Sequence, residues 1–151
     1  MKQIEIKAAI EKLIDTFLYA GKVSIELRKK GLIKEIKEDN TPVSNGDLEV
    51  NRILTEKIHD LTPQIPIVSE ETSHNKSKKD LKNFWLIDPI DGTYDYINDL
   101  DEFTLNAGLI INNRAVAGII YAPAKNRLFY SYEKGCSFEI INNKSVKLDC
   151  S

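Results

Sequence analysis

Hydrophobic residues recur at helical spacing over the first thirty positions. Ile10, Leu13, Ile14, Phe17, Leu18, Gly21 and Ile25 form one stripe, while Lys7, Glu11, Lys12, Asp15, Lys22 and Glu26 lie mostly off it. That pattern predicts an amphipathic helix with a single buried face. Arg28-Lys29-Lys30 followed by Gly31 predicts its end, with cations against the negative pole of the helix dipole and a glycine free to leave it. After a polar stretch over 37–43, Val50, Ile53, Leu54, Ile58 and Leu61 predict a second helix. Ser44 is its expected N-cap, with Asp47 three residues inside and Thr62-Pro63 as the stop.

From Ile65 onward the runs shorten. Residues 65–68 and 84–87 are compact and apolar, and each is followed at once by acids. Residues 103–111 and 115–121 read as strands joined through Asn112-Asn113-Arg114, a hairpin-type connection. Residues 128–132 and 137–141 continue a meander, with Asn142-Asn143 as a further turn, and the polar, Lys-rich 73–82 reads as an exposed loop. Two helices followed by a run of strands predict an α+β fold. The two N-terminal helices are expected to pack on a mainly antiparallel sheet, in one domain spanning 1–151.

Composition narrows the function. A 42% hydrophobic share over 151 residues is enough for a real core. Twenty-one basic against 23 acidic residues argue against a nucleic-acid partner, which calls for a concentrated basic surface. No apolar run approaches the ~20 residues of a membrane span. The charge-studded N-terminus lacks the apolar core of a signal peptide, so a cytoplasmic location is expected. Cys136 and Cys150 match no metal or redox spacing and are expected as free thiols. His59 and His74 sit among polar neighbours without ligand spacing and are expected to be solvated.

The chemistry collects where strands end. Glu70-Glu71 follows Ile67-Val68-Ser69, and Asp88-Pro89-Ile90-Asp91-Gly92-Thr93 follows Phe84-Trp85-Leu86-Ile87. Singly, these are ordinary strand ends and turn dipeptides. If the two strands are neighbours, however, Glu70, Asp88 and Asp91 converge. Anions crowded together imply a bound cation, and an all-oxygen donor set favours a hard one, Mg²⁺ before Zn²⁺. Pro89 keeps Asp88 extended and directs the Ile90 carbonyl toward the metal. Gly92 permits close backbone approach to a ligand, and Thr93 is the expected N-cap of a short helix, which would offer a phosphate its amides.

The segment 88–93 after Phe-Trp-Leu-Ile resembles the signature of the inositol-monophosphatase-like, lithium-sensitive Mg²⁺ phosphatases. Lys37-x-Asp39-x-Thr41-Pro42-Val43-Ser44-x-x-Asp47 resembles the family's upstream segment, and Val68-Ser69-Glu70-Glu71 its acidic strand end; the likeness extends to about Leu148. Within the family, Ser69, the segment 102–106 and the segment 118–123 are most similar to the branch that acts on adenosine 3′,5′-bisphosphate. Tyr94-Asp95-Tyr96 departs from the Lys-Glu-Phe usual there. The resemblance implies a layered α/β sandwich and a phosphomonoesterase that removes the 3′-phosphate in sulfate assimilation. Its substrate would be a small phosphorylated nucleotide. It implies Glu70, Asp88, the Ile90 carbonyl and Asp91 as ligands of two or more Mg²⁺ ions, with Asp91 bridging. It also implies a catalytic set of Thr93, Asp47 and Glu70, with Thr93, oriented by Asp47, polarising water, and Gly92, Thr93, Asp91 and Glu70 as substrate contacts.

The family continues into a second αβ half, whose aspartate completes the second metal site. No residue after Gly135 matches it, so one sheet face is expected to lack cover. A truncated chain, a complementing or self-associating partner, and an inactive remnant with a structural or metal-binding role all fit, as does an inositol- or sugar-phosphate substrate. The expected place of action is the cytoplasm or the inner face of its membrane.

Overall fold

Residues 1–69, 82–133, 136–141 and 143–148 are described in the structure, a computed structural model. The N-terminal stripe forms one long helix, α1 (Gln3–Lys30), which buries Ile6, Ile10, Leu13, Phe17 and Ala20 at three- and four-residue steps. Gly31 ends it at φ +95°, a conformation that costs glycine little. The polar stretch that follows folds as a hairpin rather than plain coil. β1 (Lys34–Ile36) pairs antiparallel with β2 (Pro42–Ser44) around a turn in which Asn40 takes φ +66°. The hydrophobic pattern missed this hairpin because every residue of β1 is exposed.

α2 (Asn45–Leu61) begins at the expected cap. The Asp47 amide donates to Ser44 Oγ, and the Ser44 amide donates back to the Asp47 carboxylate. The main sheet runs in chain order: β3 (Ile67–Ser69), β4 (Phe84–Asp91), β5 (Thr104–Ile111), β6 (Arg114–Ala122), β7 (Arg127–Glu133), β8 (Cys136–Ile141) and β9 (Lys144–Lys147). Among the described residues only β3 and β4 pair in parallel, with Ser69 beside Ile87; the other pairs are antiparallel, so the sheet is mixed. Asn112 and Asn113 turn β5 into β6 with both φ values positive, as a tight hairpin demands.

Two local expectations are corrected. The strand expected over 84–87 continues to Asp91, because an irregularity between Asp88 and Asp91 accommodates Pro89, which has no N–H to give the ladder. Thr93 is not an N-cap. The cap is Gly92, at φ +90° and ψ +42°, and Thr93 is the first residue of α3 (Thr93–Ile97).

Strand alternation sorts the side chains into two faces. Trp85, Ile87, Leu105, Leu109, Ile119 and Leu128 pack under α1 and α2 with Leu13, Phe17, Leu54 and Ile58. Leu86, Asn106, Gly108, Gly118, Ile120 and Phe129 border an open groove of about 450 Å³. This groove lies on the opposite face, which no helix covers among the described residues, and Ile120 is 47% exposed there. No helix among the described residues is long and apolar enough to cross a membrane.

Candidate functional site

Three short pieces of chain meet beside the end of β4. The first is the start of α2, where Asp47 is completely buried. Its Oδ2 accepts the Ser44 amide at 2.9 Å and the Ser44 hydroxyl at 2.5 Å, which leaves Oδ1 for a partner outside the helix. That partner is Thr93, whose hydroxyl donates to Asp47 Oδ1 at 2.9 Å from 46 residues away. The Ile90 carbonyl lies 3.1 Å from the same hydroxyl. Thr93 has one proton to give, and the charged acceptor holds it more strongly. One carboxylate thus both caps the start of α2 and accepts the Thr93 hydroxyl.

The second piece is the turn out of β4. A side chain on Gly92 would place its Cβ 2.8 Å from the Glu102 carbonyl oxygen, so the close packing of this turn against the start of β5 requires glycine. α3 is seated from below by Tyr96, whose buried hydroxyl donates to the Ser24 carbonyl at 2.6 Å. Burial, reinforced by the nearby Asp47 charge, pushes the Tyr96 phenol far above its ordinary range, so it stays a donor. The Tyr96 ring packs on Phe103 at 4.8 Å between centroids, and the Arg28 guanidinium lies over both rings. Arg28 also donates to the Leu100 carbonyl at 2.7 Å and ties α1 to this loop. Gly46 lets the start of α2 come this close; a Cβ there would collide with the Tyr96 hydroxyl.

The third piece is the β1–β2 hairpin. Asp39 accepts the Thr41 hydroxyl at 2.5 Å and the Thr41 amide at 3.1 Å. These bonds, the hydroxyl's first, hold its carboxyl below the usual carboxylate range. Hairpin and β4 turn enclose a cleft of about 280 Å³ lined by Lys37, Asp39, Thr41, Pro42, Asp88, Ile90, Asp91, Gly92, Thr93 and Tyr94.

The structure therefore brings Asp88, Ile90, Asp91, Gly92 and Thr93 to one cleft, with Asp47 behind Thr93. Glu70 lies outside the described residues, as do Glu71, His74 and Cys150. The strand leading to it, β3, is the parallel neighbour of β4, and Ser69 Oγ donates to the buried Asn51 Oδ1 at 2.5 Å, tying the strand end to α2. Among the described residues, no three His, Cys, Asp or Glu side chains group closely enough to hold a metal by themselves. His59 is exposed and Cys136 is a free thiol, as expected. Pattern reading missed the hairpin wall as part of the cleft. Its legible signals were Asp39-Asn40-Thr41, a sequence with Asx-turn chemistry, and the family resemblance of the segment 37–47.

A model of the inositol monophosphatase family matches residues 5–148. The chain belongs to that family. It is 40% identical over 114 residues to the 3′(2′),5′-bisphosphate nucleotidase CysQ of Haemophilus influenzae, which covers 74% of this chain and 42% of that protein. Among solved structures, CysQ from Bacteroides thetaiotaomicron, a bacterial member of the inositol monophosphatase family, is 26% identical with a TM-score of 0.64. That likeness spans 99% of this chain and 52% of that one. An inositol monophosphatase of Thermotoga maritima is 25% identical with a TM-score of 0.75, over 90% of this chain and 52% of its own. The chain thus spans less than half the length of the curated relative it matches and about half of these two solved chains. The family match runs through every element that builds the cleft, from the hairpin to the β4 turn.

Proposed function

We propose that this chain carries the metal- and phosphate-binding residues of a Mg²⁺-dependent phosphomonoesterase that hydrolyses the 3′-phosphate of adenosine 3′,5′-bisphosphate to give AMP and inorganic phosphate. Cytoplasmic action in sulfate assimilation is part of the same proposal. The observation that carries it is the Thr93–Asp47 hydrogen bond, placed in one cleft with two aspartates and a strand carbonyl. The names of the relatives support the substrate.

The donor set fits a hard divalent cation. Among the described residues, Asp39, Asp88 and Asp91 line the cleft with Lys37, an acid-rich lining that favours a phosphate arriving together with a cation. Asp88, the Ile90 carbonyl and Asp91 are the proposed ligands, completed by Glu70; all are oxygen donors, as Mg²⁺ prefers. The bound ions would supply charge neutralisation at the phosphoryl oxygens. The chain's own residues do the positioning. Asp47 Oδ1 holds the Thr93 proton, so the lone pairs of Thr93 Oγ1 accept a hydrogen from a water and aim it at phosphorus. Asp47 is buried and acts through Thr93. The Gly92 and Thr93 amides are proposed as phosphate donors.

The test is calorimetric titration of the 151-residue chain with inorganic phosphate, in Mg²⁺ and in EDTA. Uptake is expected only with Mg²⁺ and should disappear in Asp91→Asn, with the thermal melt retained. Equal uptake in EDTA would overturn the proposal. The substrate is read from phosphate release across adenosine 3′,5′-bisphosphate, inositol 1-phosphate and fructose 1,6-bisphosphate, with the first expected to be preferred.

A further inference from the structure

We propose that Tyr94 is a stacking platform that makes this cleft select phosphates carrying a planar ring over polyol phosphates. The inference rests on the reading of the cleft as a phosphate site and adds a residue that discriminates among its ligands. α3 carries two tyrosines with opposite fates. Tyr96 is fully buried and anchors the helix through Ser24, whereas Tyr94 turns outward and is 70% exposed. The Tyr94 backbone is nonetheless held firmly: its carbonyl accepts the Asn98 side-chain amide at 2.7 Å and the Asn98 backbone amide at 3.0 Å. Among the described residues, the Tyr94 hydroxyl makes no hydrogen bond and its ring has no aromatic or cationic neighbour.

A single exposed tyrosine is ordinary on a protein surface. This one lines the cleft, directly after Thr93, together with the half-buried ring of Pro42 on the hairpin side. The cleft therefore has two chemical characters. Asp88, Asp91 and Thr93 give it an oxygen-rich part suited to a cation and a phosphate. Tyr94 and Pro42 add flat apolar surface beside it, and a tyrosine ring has few side-chain torsions to fix when a ligand ring settles on it. A nucleoside phosphate satisfies both parts. A ribose or inositol phosphate satisfies only the first, because its hydroxyls gain nothing from an aromatic face.

Equilibrium titration of the chain in Mg²⁺ with three probes, AMP, ribose 5-phosphate and inorganic phosphate, tests this. AMP is expected to bind roughly tenfold more tightly than ribose 5-phosphate, in keeping with base–aromatic stacking. Tyr94→Phe should keep that ratio, and Tyr94→Ser should bring AMP down to the ribose 5-phosphate affinity. Tyr94 is exposed, so both variants should fold. Equal binding of AMP and ribose 5-phosphate, or a ratio that survives Tyr94→Ser, overturns the platform and leaves the phosphate site standing. If none of the three probes binds, the phosphatase reading falls and the platform falls with it.

Discussion

Gly92 shows how one residue type can be legible while its reason is not. The sequence marks it as a place where backbone can approach a ligand. The structure adds that it sits at φ +90°, with the Glu102 carbonyl where a Cβ would go. Gly92→Ala must therefore carry both left-handed strain and a clash with backbone, and should lower stability by about 2 kcal/mol in urea unfolding. Thr93, next to it, reads locally as a helix cap, since threonine commonly caps. That reading failed because Gly92 takes the cap position in a left-handed conformation, so Thr93 already lies inside the helix and its hydroxyl donates to a carboxylate 46 residues upstream. Ser44 and Asp47 succeed for the opposite reason: their partners are three residues apart. Gly46→Ala should also destabilise, because the Tyr96 ring it would strike is locked by Ser24 and Phe103.

At the scale of elements, the long periodic helices are where sequence reading is strongest and the β1–β2 hairpin where it is weakest. A stripe of seven apolar positions predicts α1, whereas β1 is exposed throughout and the hairpin's turn depends on local side-chain chemistry. Its stability should accordingly depend on pH. The folded Asp39 carboxyl titrates below its ordinary value of 3.8, so its contribution is complete above that value and is lost as pH falls through the lower folded one. Amide exchange at Asn40 and Thr41 should accelerate in that acidic window. Asp39→Ala should show the fast exchange at neutral pH as well, while α1 and α2 stay protected. The β4 end follows a similar logic. Pro89 signals a stop to any local reading, but an irregularity in the ladder lets the strand run two residues further and carry Asp91 to the cleft.

For the molecule as a whole, the two faces of the sheet differ in kind. One is buried under α1 and α2; the other presents Leu86, Ile120 and Phe129 around the facing pair Gly108 and Gly118, whose missing side chains deepen the groove. A groove so apolar should bind a hydrophobic dye such as ANS while the protein is folded. Ile120→Glu should reduce that fluorescence severalfold without lowering the melting temperature, because Ile120 is half exposed and outside the core.

Periodicity, caps and turn residues determined the two long helices, the strands from β3 to β8 and the α+β class by themselves, because each depends on residues within a few positions of one another. The spacing of carboxylates after apolar runs also singled out Asp88 and Asp91, which line one cleft. What only the tertiary structure decided was convergence: the parallel pairing of β3 with β4, Asp47 reaching Thr93 between helices, and the β1–β2 hairpin closing one wall of the cleft. Those contacts join segments far apart in the chain, and their energy comes from burial and charge pairing that exist only once the layers have packed.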